Sequence, residues 1–410
     1  MTRTIDPSSK RRTLLLLAAV ELLAMSLWFS ASAVLPQLTR EWNLSGSAQA
    51  WMTMSVQIGF VLGALGGAAL NIADRMPAPR LIALSALAGA IFNAVIPLVA
   101  TGPSSALVLR FLTGAALAGV YPPGMKVMAS WCREDRGLCI GLLVGALTIG
   151  SGMPHLLGAL SVGDGTGIPP WRMVLYGTSI QAIIAAVIAW RFIESGPHVG
   201  EAIRVHWRHA AAGLTDRATR LANFGYLGHM WELYAMWAWV PLMLVASYSQ
   251  AGWSEQAARY AAFGIFVAGG ISSILAGKWA DRFGRTIVTS TSMVVSGLCC
   301  LTAGFFFGTP VALTIICLIW GFAVVSDSAQ FSAAVSELAD PRYVGTALQV
   351  QTSLGFLLTM VTLRIVPLLV EKLGWEGAFM ILALGPLFGT WSMLRLRKLP
   401  DAVKMAGGKR

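Results

Sequence analysis

Five charged side chains stand where charge is costly: Glu21, Arg110, Glu232, Asp327 and Arg364 each fall inside a long apolar run. A charged group at membrane depth costs about 2.5–3.5 kcal/mol on insertion scales and is usually functional. Two of the five share a repeated setting. Glu21–Trp28 reads ELLAMSLW and Glu232–Trp239 reads ELYAMWAW, identical at five of eight positions and 211 residues apart. A carboxyl held away from water in a helix bundle can load and release a proton, and Glu232 has the best claim to that chemistry. His229 lies one turn away and could share the proton. The competing reading makes Glu232 a structural carboxylate bonded to a neighbouring helix. The H-x-x-E spacing also admits a metal, but two ligands make no site.

Around these charges the residue types suit an organic solute. Glu21, Met25 and Trp28 lie on one helical face, as do His229, Glu232 and Met236. Phe29, Trp231, Tyr234, Trp237 and Trp239 add aromatic surface for an apolar body, or else serve as packing. An anionic solute would use Arg110, Lys126 and Arg364. A cationic one would use Glu21, Glu232 and Asp327. The opposite charges could also pair with one another.

The elements that must hold these residues are membrane helices. The chain is 56% hydrophobic and 12% charged, against about 25% charged residues in soluble domains, and its mean hydropathy is +0.67. Spanning helices need about 20 apolar residues. Twelve such runs are predicted, at 13–36, 48–71, 80–101, 104–130, 137–162, 171–193, 221–248, 258–279, 286–307, 310–333, 343–369 and 375–395. They divide into an N-terminal six-helix bundle (1–193), a linker (194–220), a C-terminal six-helix bundle (221–396) and a tail (397–410). With the N-terminus inside, 24 of the 30 Lys and Arg fall on the cytoplasmic side and only Arg40, Arg172, Arg259 and Lys372 on the other. That asymmetry puts both termini in the cytoplasm by the positive-inside rule. It also accounts for the net charge of +11 without nucleic acid. Lys10–Arg12 followed by an apolar run and Ala31-Ser32-Ala33 has the form of a secretory signal. Glu21 and its echo in the seventh helix argue instead for a retained helix. Cys132, Cys139, Cys299, Cys300 and Cys317 are read as reduced packing residues.

Further matches hold nearly the same offset: Ser47–Ala50 with Ser254–Ala257, Ala73-Asp74-Arg75 with Ala280-Asp281-Arg282, Gly137 with Gly345, and Pro170-Trp171-Arg172 with Gly374-Trp375-Glu376. The economical reading is two six-helix halves in parallel repeat. The stretch Gly277-Lys278-Trp279-Ala280-Asp281-Arg282-Phe283-Gly284-Arg285 resembles the signature loop of the major facilitator superfamily, G-x-x-x-D-R-x-G-R. The first-half copy keeps Asp74-Arg75 but has Leu70 and Pro77 where that family prefers Gly. Arg110 with Gly114 resembles its fourth-helix motif, and Trp131–Gly137 its helix 4–5 loop.

The resemblance implies an all-α membrane fold of twelve helices in two pseudo-symmetric bundles, with helices 1, 4, 7 and 10 lining a central cavity. It implies that the two glutamates face that cavity at similar depth. It also implies that Asp74, Arg75, Gly277, Asp281, Arg282, Gly284 and Arg285 gate the cytoplasmic side. Asp281 is expected just before the helix that begins near Arg285, where the helix dipole favours a carboxylate. Gly59, Gly63 and Gly67, and Gly137, Gly141 and Gly145, repeat every four residues and should let helices approach closely. The Gly145–Gly158 segment partly resembles the antiporter motif and tilts the reading toward export.

No phosphate-binding loop, nucleophile elbow or metal cluster is present, so the chain is read as neither an ATP-driven pump nor an enzyme, with no cofactor. The leading expectation is a proton-coupled secondary transporter of a small organic solute, monomeric, in the cell (inner) membrane. The alternatives are a gradient-independent facilitator, an anion uptake carrier (cyanate-like, nitrate-like or for organic acids), and a non-transporting membrane sensor.

Overall fold

In lipid every backbone polar group must be paired within the protein, so a chain this apolar resolves into helices. The computed structural model describes residues 7–70, 72–132, 136–160, 171–197, 215–340 and 343–410, all helical or in short connections. Within the stretches named above, Arg133, Glu134, Asp135 and Pro170 lie outside the described residues, as do the side chains of Ala73, Asp74 and Arg136.

Twelve spans follow in order. The first half holds α1 (Pro7–Met25), α2 (Gly46–Ala69), α3 (Ala78–Val99), α4 (Pro103–Leu117, resuming as Tyr121–Trp131), α5 (Arg136–Ala159) and α6 (Trp171–Phe192). The second holds α7 (Arg217–Gln250), α8 (Glu255–Phe283), α9 (Arg285–Thr302), α10 (Pro310–Ser326, resuming as Ser328–Leu338), α11 (Val344–Ala378) and α12 (Leu384–Arg397). Local chemistry sets their starts. Pro103 and Pro310 occupy first-turn positions that need no N–H. Ser45 accepts from the Ala48 amide, and Asp216 from the Thr219 amide.

Nine of these spans, among the described residues, are long and apolar enough to cross a membrane. The other three are α1, α7 and α12. The sequence predicts a continuous first helix over 13–36, but the structure breaks it after Met25 into turns, a 3-10 segment (Ser32–Val34) and a short helix (Leu35–Trp42). The α7 helix carries Asn223, His229 and Glu232, and α12 is 14 residues long.

The chain divides into two compact units. One comprises Met1–Ala202 with Glu255–Phe263, the other Ile203–Ser254 with Gly264–Arg410. The first turns of α8 thus pack with the first unit. There Arg259 is buried, donates to the Ala33 carbonyl at 2.8 Å and pairs with Glu255 at 2.8 Å. Gly158 makes room for it, since a Cβ there would come 2.6 Å from its Nη1.

Glycines fix the close crossings inside each unit. In the first, Gly59 and Gly63 meet the backbone of Phe111 and Ala115, and a Cβ on Gly114 would fall 1.9 Å from the Val56 carbonyl oxygen. In the second, a Cβ on Gly321 would fall 2.6 Å from the Ile265 carbonyl oxygen. Gly114 and Gly321 are 207 residues apart, so the α2–α4 and α8–α10 crossings are the same crossing made twice. Gly67, expected at a seam, has nothing within 4 Å of its built Cβ.

Two cysteines correct the sequence reading. Cys132 and Cys139 form a disulfide, because the end of α4 and the first turn of α5 bring their Cα atoms to 6.5 Å. Cys299, Cys300 and Cys317 are free and buried.

Candidate functional site

In the first unit the break in α1 leaves the Trp28 carbonyl without a helical partner, and Arg110 of α4 reaches it and its neighbours. Its guanidinium donates to the Leu27 carbonyl at 2.8 Å, the Met52 carbonyl at 3.3 Å, the Ser30 hydroxyl at 2.9 Å and the Trp28 carbonyl. Ser30 in turn donates to Asn93 Oδ1 at 2.7 Å, and the Asn93 amide donates to the Leu175 carbonyl, Thr178 and Ser179. Every nitrogen of Arg110 is committed to this network. The residue expected to meet an anionic solute is therefore a structural tie between α4 and the unwound part of α1. Asn93 was legible as a polar residue in the apolar run 80–101, and its role as the hub on α3 was missed.

Glu21 lies wholly buried one turn before the break. A Cβ on Gly124 would stand 3.1 Å from its Oε2, and neither carboxyl oxygen has a hydrogen-bond partner among the described residues. Trp28 is buried edge-on against Phe60, with centroids 5.1 Å apart. Lys126 is half-buried on the second segment of α4, and His155 is buried on α5.

The second unit treats its glutamate differently. Glu232 accepts hydrogen bonds from the Ser296 hydroxyl at 3.0 Å, the Cys300 thiol at 3.1 Å and the Trp320 indole N–H. All three donors are neutral, and they come from α9 and α10. His229 does not bond to Glu232, as its sequence position suggests it could. Its Nδ1 instead lies 2.8 Å from Asp327 Oδ1, with both side chains buried. The approach is close enough for an ion pair but off the direction of a hydrogen bond, and Nε2 has no hydrogen-bond partner among the described residues. Asp327 sits at the break in α10, between Ser326 and Ser328, so the kink carries the carboxylate to α7. The two glutamates are therefore each enclosed by their own bundle, and among the described residues one has no donor and the other three.

Aromatic residues form a chain beside this group. Tyr234 packs on Phe356 with centroids 5.2 Å apart and on Trp237 at 5.5 Å, and Trp237 packs on Phe266 at 5.3 Å. Arg364 on α11 is half-buried, and its Nη1 has no hydrogen-bond partner among the described residues.

The second-half signature loop is a tight junction between α8 and α9. Asp281 lies in the last turn of α8 rather than ahead of α9, which corrects the dipole argument; it stands 3.8 Å from Arg285. Gly277 also lies within α8, and exposed Arg282 stacks over Phe283 at 5.2 Å. Gly284 makes the turn at φ +98°, a conformation open to glycine. Arg285 grips Glu337 with two nitrogens at 2.7 and 2.6 Å and Gln330 at 2.7 Å. Glu337 was missed in the sequence, where it follows the tenth apolar run and looks like one more charge at a helix end. In the first half Arg75 is exposed in the short helix Ile72–Arg75.

The sequence profile of the Major Facilitator Superfamily matches residues 17–266 and 222–409. The chain belongs to this superfamily. A 4-hydroxybenzoate transporter, PcaK, of Pseudomonas aeruginosa is 23% identical over 71% of this chain and 70% of its own length. A gallate transporter of Pseudomonas putida is 24% identical over 66% of each chain. Among solved structures, the proton:xylose symporter XylE matches with a TM-score of 0.75 over 95% of this chain and 96% of that one, at 15% identity. A bacterial homologue of the lysosomal transporter Spinster matches at 0.69 over 97% and 100%, also at 15% identity. At such identities the structures show the shared fold. The protein is thus a multi-pass membrane transporter of the superfamily, a secondary carrier of small organic solutes with twelve helices in two bundles.

Proposed function

We propose that this carrier couples the movement of a small aromatic carboxylate to a proton by alternating access, with His229, Asp327 and Glu232 as the proton-handling group. The observation that carries this reading is the buried His229–Asp327 pair at 2.8 Å, set in the same bundle as a carboxylate whose donors are all neutral. A proton on Asp327 cancels one half of the pair and frees His229. A proton on Glu232 turns one of its oxygens into a donor and takes away the charge that strengthens its hold on Trp320, Ser296 and Cys300. Either event changes how α7 is tied to α9 and α10, which is what coupling requires.

The relatives that carry 4-hydroxybenzoate and gallate support an aromatic acid as solute. Tyr234 and Trp237 are the candidate ring contacts. Arg110 is committed elsewhere, and Arg364, whose Nη1 has no hydrogen-bond partner among the described residues, is the candidate carboxylate contact. Glu21 contacts the solute or packs. The glycines of the export-like segment have packing duties of their own, since Gly150 meets the Leu22 carbonyl and Gly158 meets Arg259. The assay assigns the direction. The monomeric chain sits in the cell membrane with both termini in the cytoplasm, where the signature loops act as gates.

The test is transport of labelled 4-hydroxybenzoate and gallate in proteoliposomes under a pH gradient of either sign. Accumulation above equilibrium that a protonophore abolishes is expected. Asp327→Asn and Glu232→Gln should retain solute exchange at zero gradient and lose gradient-driven accumulation. Transport indifferent to the gradient would establish a facilitator instead.

A further inference from the structure

The segment after α12 folds back onto the second-half signature loop through contacts made wholly within the second unit. Pro400–Gly408 runs in 3-10 turns with Ala402 and Met405 fully buried. Ala406, Gly407 and Gly408 then take φ of 47°, 60° and 95° in succession, a left-handed hook that two glycines make accessible. The hook turns the backbone so that the Ala406 amide donates to Glu337 Oε2 at 3.2 Å and Lys409 Nζ donates to the Asp281 carbonyl at 2.8 Å. The Arg410 carbonyl accepts from the Thr286 hydroxyl at 3.1 Å. It lies so close over Gly284 that a Cβ there would be 2.0 Å away. Gly284 is thus required twice, for its positive φ and for the chain that lies over it.

We infer that Ala402–Arg410 is an intramolecular strap that clamps the α8–α9 junction and slows the transport cycle. Glu337 is the shared element: its two oxygens hold Arg285, and one of them, Oε2, also receives the strap's amide. Any movement that takes Arg285 off Glu337 disturbs the strap's seat, and releasing the strap removes one of the donors that fix Glu337. The strap also covers the turn on which the Asp281, Arg282 and Arg285 geometry depends. Its effect on the cycle rests on the transport function proposed above, whereas its docking does not, and the experiment separates the two.

Full-length protein is compared with a chain ended at Met405, which keeps both buried anchors and deletes the hook, and with Gly408→Val in the full chain. Hydrogen exchange over residues 281–287 is expected to speed up at least tenfold in both variants, with exchange in α7 and α11 unchanged. Transport of 4-hydroxybenzoate in proteoliposomes is expected to rise in turnover with little change in KM. Unchanged exchange over 281–287 overturns the strap. Faster exchange with unchanged turnover, in protein that transports, overturns its control of the cycle. Absence of aromatic-acid transport in all three proteins counts against the proposed solute, and exchange still decides whether the strap docks.

Discussion

Arg110 and Glu21 show why identity and depth alone do not give a residue's role. Both are charged, both are fully buried and both lie in the first bundle. Arg110 satisfies four oxygens of other residues, whereas Glu21 has no hydrogen-bond partner among the described residues. Removing Arg110 would strand the buried Trp28 carbonyl and leave those of Leu27 and Met52 one donor fewer, and an unsatisfied buried group costs about 1–3 kcal/mol. Arg110→Ala is therefore expected to lower the yield and melting temperature of detergent-purified protein sharply. Arg110→Lys should rescue little, because an ammonium cannot reproduce the planar fork. A melting curve of Arg110→Ala matching wild type would return Arg110 to the list of solute contacts. The sequence made Arg110 conspicuous, but it could not reveal the role, because the break in α1 that frees the Trp28 carbonyl has no punctuating Pro or Gly. Residues Ser26–Ala31 read as a smooth apolar continuation. Glu232 was legible as a buried carboxylate from its echo of Glu21. Its partners Ser296, Cys300 and Trp320 come from helices 9 and 10, and only the packed fold brings them together.

Helix crossings are set by which glycine meets which backbone. The every-fourth-residue pattern in α2 was legible, and two of its three glycines are used. Gly59 and Gly63 face α4, while Gly67 faces nothing within 4 Å. Periodicity marks a face, but the face runs on past the point where the partner helix diverges. Gly114→Ala should accordingly cost more than the roughly 1–3 kcal/mol of ordinary overpacking, since its methyl would meet a carbonyl oxygen at 1.9 Å. Gly67→Ala should be neutral or slightly stabilising. Thermal melts of the two variants side by side check the contrast, and equal behaviour would mean that the crossing is not fixed by Gly114.

The start of α7 supplies a pH-dependent element. Burial works to raise the Asp216 carboxyl, but the Thr219 amide and hydroxyl and the nearby Lys404 outweigh it, so its pKa lies below the ordinary value of 3.8. With the folded value depressed, the cap's contribution is complete above that ordinary value and is lost as pH falls through the lower folded one. Asp216→Ala is expected to cost about 1 kcal/mol at neutral pH. That deficit should shrink in acid as the wild-type cap is protonated. A deficit independent of pH down to the acid transition would show that the cap's charge is not what stabilises the helix start.

At the scale of the whole molecule, the repeat ties sequence, fold and orientation together. Two copies of one unit joined in parallel keep their orientation only if an even number of spans separates equivalent positions. The six spans of each half meet that condition, and the α2–α4 crossing recurs as the α8–α10 crossing. The charge distribution is the independent witness. Basic residues flank alternate connections, with 24 of 30 assigned to one side, a bias that charge-dependent insertion converts into a single topology. The expected arrangement places the α6–α7 connection and the segment after α12 in the cytoplasm, and the α7–α8 turn at Gly252 outside. A peptide tag inserted after Gly252 should therefore be cut by external protease in intact cells. The same tag placed after Arg410, or within 198–214, should be cut only once the membrane is opened. The Gly252 turn connects α7 and α8 at φ +75° with open space around it, so an insertion there tests orientation with little load on packing. A tag at Gly252 that stays protected while the one after Arg410 is cut from outside would invert the topology, and with it the side on which Arg285, Glu337 and the strap act.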